Sequence, residues 1–209
     1  MITIGLSQLI SVRKFMCGRF QNKKTEKELV ELFEQNNLEL LVDDEIDKRK
    51  KDDIRPTEKI AAIYSDNEKF KLSKVIWGIK FKEDSPLIFN SRIETIKEKT
   101  YWKKLFTENK CVVPMTSFYE WNNKIRYKIF LPEKDIFFVP AIYHKDKEKN
   151  IFASLITTSP NKFISVIHNR MPVILDFQNA ISFLNDPSEE NIKRCVPYND
   201  ENEMEAEAV

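Results

Sequence analysis

The middle of the chain is a succession of short apolar runs separated by turn residues, and this pattern constrains the fold more than any other feature. Apolar residues occupy every second position from Ile125 to Leu131, as in a half-buried strand. Asn122-Asn123, just before this run, is typical of a hairpin turn. Further strands are predicted at residues 60–64, 70–77, 86–89, 111–115, 118–121, 136–143 and 151–158. Strands joined by such short connections pair most simply as antiparallel neighbours.

Helices are predicted on both sides of this strand-rich region. Thr25 and Glu28 form a capping-box pattern ahead of an apolar stripe, which predicts an amphipathic helix over residues 26–36. A second capping pattern, Thr95 with Glu98, opens another helix. Further helices are predicted at residues 159–168, 177–184 and 188–194. With no repeat and no long linker, we predict one α+β domain whose mostly antiparallel sheet closes into a barrel-like core with helices packed outside.

The two ends of the chain differ from this pattern. Residues 1–15 are apolar at first and carry a basic pair only at their end, whereas a secretory signal carries its positive charge first. We interpret them as a leader or a misassigned start outside the functional protein. The domain is expected to span residues 16–199. Residues 200–209 hold five acids and no base, which predicts a disordered acidic tail. Residues 43–53 are a charge run and are expected to form a solvated loop.

Composition excludes several classes of protein. The chain has no apolar run long enough to span a membrane. Cys17, Cys111 and Cys195 are odd in number and widely spaced, which indicates a reducing cytosol rather than a disulfide framework. Only His144 and His168 are available beside them, so we expect no metal and no other cofactor. The net charge is +1, but the five acids lie in residues 200–209, so the rest of the chain is mildly basic. A basic surface permits a phosphate-bearing partner.

Met16-Cys17 is the most unusual dipeptide in the sequence. A cysteine that directly follows a methionine becomes the first residue once that methionine is removed. It then carries an α-amine and a thiol on neighbouring carbons, and both are nucleophiles. An internal cysteine lacks the amine because its nitrogen is part of an amide. We therefore predict that Cys17 is catalytic, while Cys111 and Cys195 are expected to be buried small apolar residues.

Three further polar stretches interrupt the apolar pattern, and each also has a purely structural interpretation. Residues 90–95 (NSRIET) lie at a strand-to-helix junction, where Asn90 would serve as a turn residue and Arg92 as a surface ion-pair partner. Residues 118–121 (FYEW) place Glu120 in an aromatic strand, from which it would point to solvent. Residues 167–175 (IHNRMPVIL) place His168 at a helix end, a position that the helix dipole favours.

Taken together, these motifs resemble a known family. Met16-Cys17-Gly18-Arg19-Phe20, Arg55-Pro56-Thr57, Trp77-Gly78, NSRIET, CVVP at residues 111–114, FYEW and IHNRMPVIL occur in this order. In this combination and at these separations they resemble the SRAP family (SOS response-associated peptidase-like proteins). The resemblance runs from about Met16 to about Leu184 and implies the fold of that family.

The resemblance also implies a function. Proteins of this family bind single-stranded DNA at abasic sites, and their N-terminal cysteine forms a covalent crosslink with the ring-opened sugar. By position, Cys17, Asn90, Glu120 and His168 match the catalytic residues of the family. Arg19 and Arg92 match arginines that hold DNA phosphates. We assign Trp77 and Arg170, from the same motifs, to the DNA-contacting set as well.

The implied activity makes further expectations specific. The protein would shield the lesion during replication and the SOS response, and the same groups permit abasic-site lyase activity and thiol self-cleavage of the preceding peptide bond. We expect a cytoplasmic monomer, associated with the nucleoid when bound to single-stranded DNA that contains abasic sites, with no membrane partner.

The sequence departs from the family in places, and two other interpretations remain open. The Pro-x-Trp that usually follows Trp77-Gly78 is missing, Asp53 stands where asparagine is more common, and the C-terminal PVS…VN motif is absent. Glutamine amidotransferases also begin Met-Cys-Gly, but three glycines cannot supply their loops. A single-stranded nucleic-acid binding module without chemistry is the second alternative.

Overall fold

The computed structural model describes residues 18–43, 51–66 and 69–209. The expectations for residues 1–17, Cys17 among them, lie outside the described residues. The strands are β1 (Arg19–Asn22), β2 (Leu40–Val42), β3 (Lys51–Ile54), β4 (Lys59–Asp66), β5 (Lys69–Trp77), β6 (Asn90–Arg92), β7 (Lys110–Met115), β8 (Ser117–Asn122), β9 (Ile125–Phe130), β10 (Phe137–Lys145), β11 (Ile151–Thr158), β12 (Met171–Pro172) and β13 (Glu205–Ala208). The helices are α1 (Glu26–Gln35), α2 (Ile93–Glu98), α3 (Thr100–Glu108), α4 (Lys162–Ser165), α5 (Phe177–Asn185) and α6 (Ser188–Arg194). In these ranges no helix has both the length and the apolar character needed to cross a membrane.

The described strands form two sheets rather than the single sheet predicted. The smaller has the order β13-β9-β8-β1-β3, and the larger has the order β12-β11-β10-β7-β4-β5-β2. Most pairs are antiparallel, as predicted, and β2–β5, β5–β11 and β6–β11 are parallel. The β5–β11 pairing also joins the two ends of the run β11-β10-β7-β4-β5, so these five strands form a closed cycle of pairings. The predicted α+β class is confirmed.

Strand alternation divides the core into two layers. Along β7, Cys111, Val113 and Met115 belong to a cluster that also contains Phe20 and Phe118 from the smaller sheet. Val112, between them, belongs to a second cluster with residues of α1, α2, α3 and α5. Because successive side chains of a strand point to opposite faces, one face of the larger sheet packs on the smaller sheet and the other is covered by helices.

The capping box predicted for the first helix is confirmed. The backbone N–H of Glu28 donates to Thr25 Oγ1 at 3.3 Å, and Thr25 N–H donates to Glu28 Oε2 at 2.7 Å. The helix runs from Glu26 to Gln35 and buries Leu29 and Phe33. It therefore covers the outer face of the larger sheet, as its apolar stripe requires.

Several predictions about individual segments are wrong. The tail at residues 200–209 is ordered: Glu201–Glu203 form a 3-10 turn, and β13 pairs with β9. The charged loop ends earlier than predicted, because β3 pairs with β1 from residue 51 onward. The helix predicted at residues 159–168 has its regular part only at Lys162–Ser165. The strand predicted at residues 86–89 is reduced to an isolated bridge between Ile88 and Ile79. The helix predicted to open at Thr95 begins at Ile93, without a side-chain cap. For the tail and the charged loop, a sheet edge supplies backbone hydrogen-bond partners that cannot be predicted from the local sequence.

Candidate functional site

The start of β1 lies directly beside the strand that carries Glu120. The register of β1 and β8 pairs Arg19 with Tyr119 and Phe20 with Phe118. Continued by one residue, this antiparallel register places Gly18 opposite Glu120. The residue that follows Cys17 in the chain is therefore next to the predicted catalytic glutamate.

An aromatic series connects the same end of β1 to Asn90. The Phe20 and Trp77 rings are 5.1 Å apart, and the Trp77 and Phe89 rings are 5.9 Å apart. Trp77 Nε1–H also donates to the Phe89 backbone oxygen at 2.9 Å. A Cβ built on Gly18 would be 3.9 Å from the Phe89 ring. Gly18 thus lies against the residue that immediately precedes Asn90.

The structure corrects the assignment of Trp77 to the DNA-contacting set. Its side chain has no exposed surface and belongs to the core between the two sheets. A ring can stack on a base only if one of its faces is accessible. Trp77 instead holds β1, β5 and the start of β6 together.

Asn90 and Arg92 are both placed by β6, which pairs in parallel with β11. The register pairs Asn90 with Leu155 and Arg92 with Thr157. Between them Ser91 is buried, and its hydroxyl is 2.8 Å from that of Ser154 on β11. Because neighbouring residues of a strand point to opposite faces, Asn90 and Arg92 share the face opposite Ser91. Asn90 is half-buried and Arg92 is exposed.

Glu120 is fully buried, with no exposed surface. The expectation that an isolated glutamate here would point to solvent is therefore wrong. Burial of an unpartnered carboxylate is costly, and this glutamate does have interaction partners. A carboxyl group so enclosed is suited to exchanging a proton with a bound group rather than with bulk water.

His168 is buried in the loop after α4. The ring is 4% exposed, and its Nδ1 lies 3.2 Å from the backbone nitrogen and 3.3 Å from the backbone oxygen of Arg170. Asn122, two residues after Glu120, donates from Nδ2 to the backbone oxygen of Val166 at 2.8 Å. This bond joins the end of β8 to the loop two residues before His168.

The same loop is fixed on its other side by Arg170. Its guanidinium donates to both carboxylate oxygens of Glu94 at 2.9 Å and to the Thr157 backbone oxygen at 2.8 Å. The hydrogen bond from Arg170 is the main reason why the pKa of Glu94 is lowered from its ordinary value. The Arg170 side chain is only 12% exposed. We therefore correct its predicted DNA contact: Arg170 positions the His168 loop on β11 and α2.

Arg19 remains at the surface, but its guanidinium is already paired. Nη1 lies 2.6 Å from Asp53 Oδ2, and the same oxygen lies 3.0 Å from Arg55 Nη2. The guanidinium carbon is also 5.8 Å from the centre of the Trp121 ring. Asp53 thus binds the arginine that the sequence assigns to DNA phosphate.

The two other thiols are chemically quiet. Cys111 and Cys195 are both buried. Burial raises the pKa of each thiol from 9.0 to about 12. Since the thiolate is the nucleophile, neither residue competes with Cys17 near neutral pH. No group of three or more His, Cys, Asp or Glu side chains within the described ranges could hold a metal ion.

A closed series of contacts connects the segments that carry the described candidates. β8 carries Glu120 and pairs with β1, and Gly18, just before β1, lies against Phe89. The next residue, Asn90, begins β6, which pairs with β11. β11 binds the His168 loop through Arg170, and Asn122 connects that loop to β8. Sequence reasoning missed Glu94, the partner of Arg170. No local signal identifies this pair, because the two residues are 76 positions apart.

The fold and this arrangement define a class of α+β proteins in which the first described strand pairs with a strand that carries a buried glutamate. Comparison with known proteins agrees. The family model "SOS response associated peptidase (SRAP)" matches residues 16–209. The abasic site processing protein YoqW of Bacillus subtilis is 32% identical over 184 residues, which cover 81% of this chain and 80% of YoqW. YoaM, an abasic site processing protein of the same organism, is 29% identical over 210 residues, covering 91% of this chain and 89% of YoaM.

Solved structures agree in fold. A crystal structure of a protein from Bacteroides thetaiotaomicron superposes with a TM-score of 0.74 and 22% identity, covering 92% of each chain. The chain described here belongs to the SRAP family.

Proposed function

We propose that this protein processes abasic sites in single-stranded DNA by forming a covalent crosslink through Cys17. The names of YoqW and YoaM, both abasic site processing proteins, support the substrate. The observation that carries the proposal is the register of β1 on β8, because it brings the residue after Cys17 opposite the buried Glu120.

The chemistry requires Cys17 to be the first residue. Its α-amine, with an ordinary pKa of roughly 7.7–8.0, attacks the aldehyde carbon C1′ of the ring-opened sugar. Loss of water gives an imine, and the thiol then adds to the imine carbon while its proton passes to the nitrogen. The product is a five-membered thiazolidine. With Met16 still attached, the nitrogen is an amide and the ring cannot close.

The surrounding side chains have separate roles in this proposal. Glu120 transfers protons at the amine and at the departing water, for which its burial beside β1 is suitable. His168 protonates or deprotonates the sugar oxygen and promotes ring opening. Asn90 donates or accepts a hydrogen bond at the cysteine backbone or the sugar.

Arg19 and Arg92 are the groups proposed to hold the DNA backbone. Arg92 is exposed at the end of β6 and is available to a phosphate. Arg19 lies on β1, one residue after Gly18, at 29% side-chain exposure. Guanidinium groups bind phosphate through paired hydrogen bonds, so these two arginines would fix the strand on either side of the lesion.

The proposal has further parts, and the first of them follows from the same imine. It permits β-elimination, which would cleave the strand as a lyase does. Cys17 attacking the peptide bond before it would release the preceding residues as a thiol peptidase does. In the cell the crosslink would shield the lesion during replication. We place the protein in the cytoplasm as a monomer, on the nucleoid when it is bound to DNA.

The proposal is tested with forms of the protein that begin at Met1 and at Met16. Each is incubated with single-stranded DNA containing one abasic site, and a shifted band that resists denaturant is scored. We expect the band from protein whose intact mass shows Cys17 first, and its loss in Cys17→Ser.

Cys111→Ala and Cys195→Ala are the matched controls, because they remove buried thiols. Both should crosslink at the rate of the unchanged protein. Efficient crosslinking by a form whose intact mass retains residues 1–16 would contradict the mechanism.

A further inference from the structure

Asp53 pairs with two arginines, one of which, Arg19, the proposed function assigns to a DNA phosphate. Its Oδ2 lies 2.6 Å from Arg19 Nη1 and 3.0 Å from Arg55 Nη2, so one carboxylate oxygen bridges two guanidinium groups. The side chains of Arg19, Asp53 and Arg55 are 29%, 31% and 56% exposed. All three can therefore be reached by a charged group from solvent.

The position of this carboxylate is fixed by the sheet. β3 pairs with β1 through Phe20 and Ile54. Asp52, the residue before Asp53, receives hydrogen bonds from two neighbouring strands: Tyr119 Oη–H donates to its backbone oxygen at 2.9 Å, and Gln21 Nε2–H donates to its side chain at 2.8 Å. The backbone that carries Asp53 is thus tied to β1 and β8. Asp53 is presented to Arg19 by structure rather than by a flexible surface loop.

A carboxylate and a phosphate satisfy the same guanidinium donors. An arginine that is already neutralised by a carboxylate contributes less to phosphate binding and to counterion release than a free one. The carboxylate would also repel the incoming phosphate. Because the pair is partly exposed, its strength is modest, so DNA can displace it at a cost in affinity.

We propose that Asp53 competes with the DNA backbone for Arg19 and so weakens the binding of undamaged single-stranded DNA. This inference rests on the proposed function. It assigns Asp53 a role in specificity: with weak backbone binding, retention on DNA depends more on capture of the sugar aldehyde by Cys17.

The test measures equilibrium binding of an intact single-stranded oligonucleotide, without an abasic site, by fluorescence anisotropy at several salt concentrations. Asp53→Asn keeps the size of the side chain and one hydrogen-bond acceptor for Arg19 but removes the charge. We expect affinity to rise roughly threefold to tenfold at low salt. The plot of log affinity against log salt should become steeper by about 0.7, as for one more phosphate contact to a single strand.

Asp66→Asn is the charge-matched control. Asp66 forms an ion pair with Lys71 at 2.9 Å at the far end of the β4–β5 pair from Trp77. The Asp66→Asn substitution removes the same charge without affecting Arg19, so the affinity for the oligonucleotide should stay within about twofold of that of the unchanged protein.

A double variant assigns the effect to the correct arginine. The gain from Asp53→Asn should vanish in an Arg19→Ala background and persist in Arg55→Ala. An unchanged or lower affinity of Asp53→Asn would overturn the inference, as would an equal gain from Asp66→Asn or a gain that survives Arg19→Ala. If neither the unchanged protein nor Asp53→Asn binds the oligonucleotide at any salt concentration, the inference is overturned, whereas the proposed function is refuted only by absence of the denaturant-resistant band on DNA that contains an abasic site. Binding by the unchanged protein without a gain in Asp53→Asn sinks the inference alone.

Discussion

Glu120 shows most clearly how a single residue acquires its role from its surroundings. The sequence of its strand does not decide whether Glu120 points to the core or to solvent, and in the folded protein Glu120 is fully buried. The neighbouring Tyr119, whose side chain points to the other face of the strand, is also buried, at 5% exposure. β1 and β9 pair with β8 along its two edges, so β8 is the central strand of the smaller sheet. Burial therefore makes Glu120 a candidate acid or base rather than a surface charge.

Replacement of Glu120 by glutamine should slow crosslinking while the fold is retained. The amide has the same shape but cannot exchange a proton, and general acid–base catalysis typically contributes about 100-fold to 10,000-fold. We expect a fall of at least roughly 100-fold in the single-turnover rate, with a thermal midpoint close to that of the unchanged protein. Glu31→Gln, on the exposed face of α1, is the control and should react normally. A normal rate for Glu120→Gln would remove its assigned role.

At the scale of elements, the loop after α4 is held in place by contacts with segments that are distant in sequence. Regular helix ends at Ser165, yet His168 N–H still donates to the Ile164 backbone oxygen at 2.8 Å. Arg170 then binds Glu94 and Thr157, which fixes the loop to α2 and β11. The orientation of His168 thus depends on the ion pair between Arg170 and Glu94, neither of which belongs to α4.

Glu94→Gln should destabilise the protein in a pH-dependent manner. The folded pKa of Glu94 is lowered from 4.5, so its contribution is complete above that value and is lost as pH falls through the lower folded pKa. Because half of the side chain is exposed, solvent screening limits the effect to about 1 kcal/mol at pH 7. Urea unfolding at several pH values measures the difference, which should disappear in acid.

Glu98→Gln provides the control on the same helix. Glu98 is exposed at the end of α2, and its replacement should leave stability unchanged within about 0.5 kcal/mol. If the stability difference between Glu94→Gln and the unchanged protein stayed constant from neutral pH into acid, it would argue against a stabilising ion pair between Glu94 and Arg170.

At the scale of the whole molecule, the C-terminal segment completes the smaller sheet. β13 pairs with β9 at its edge, and Lys128 lies 3.5 Å from Glu207 across this pair. Met204, just before the strand, is 4% exposed and belongs to the core between the sheets. The segment that composition describes as an acidic tail is therefore a structural part of the domain.

Met204→Ala should reduce the free energy of unfolding by about 2–4 kcal/mol, because truncation of a buried side chain loses apolar contact and leaves a cavity. Val209→Ala is the control, since Val209 is 55% exposed, and it should cost little. Chemical denaturation of both variants measures the difference. Equal stability of Met204→Ala and the unchanged protein would indicate that the segment is not docked.

Local patterns in the sequence determined most of the elements. Period-two alternation predicted the strand from Ile125 and the capping box predicted the start of α1, because each signal is complete within a few residues. The hairpin was predicted one residue too early, because its turn is formed by Asn123 and Lys124 rather than Asn122-Asn123. The motifs also indicated the family and the candidate residues. The order of the strands within the two sheets was beyond these local signals, because β5 and β11 are far apart in sequence.

The tertiary structure alone decided which candidates face a ligand. It buried Trp77, paired Arg170 with a glutamate 76 residues away, and set Asp53 against Arg19 across 34 residues. A one-residue change of register would reverse which side chains of a strand are buried, and register depends on partners far along the chain. The sequence by itself determined what chemistry is present, whereas long-range packing decided where each charge lies and what it binds.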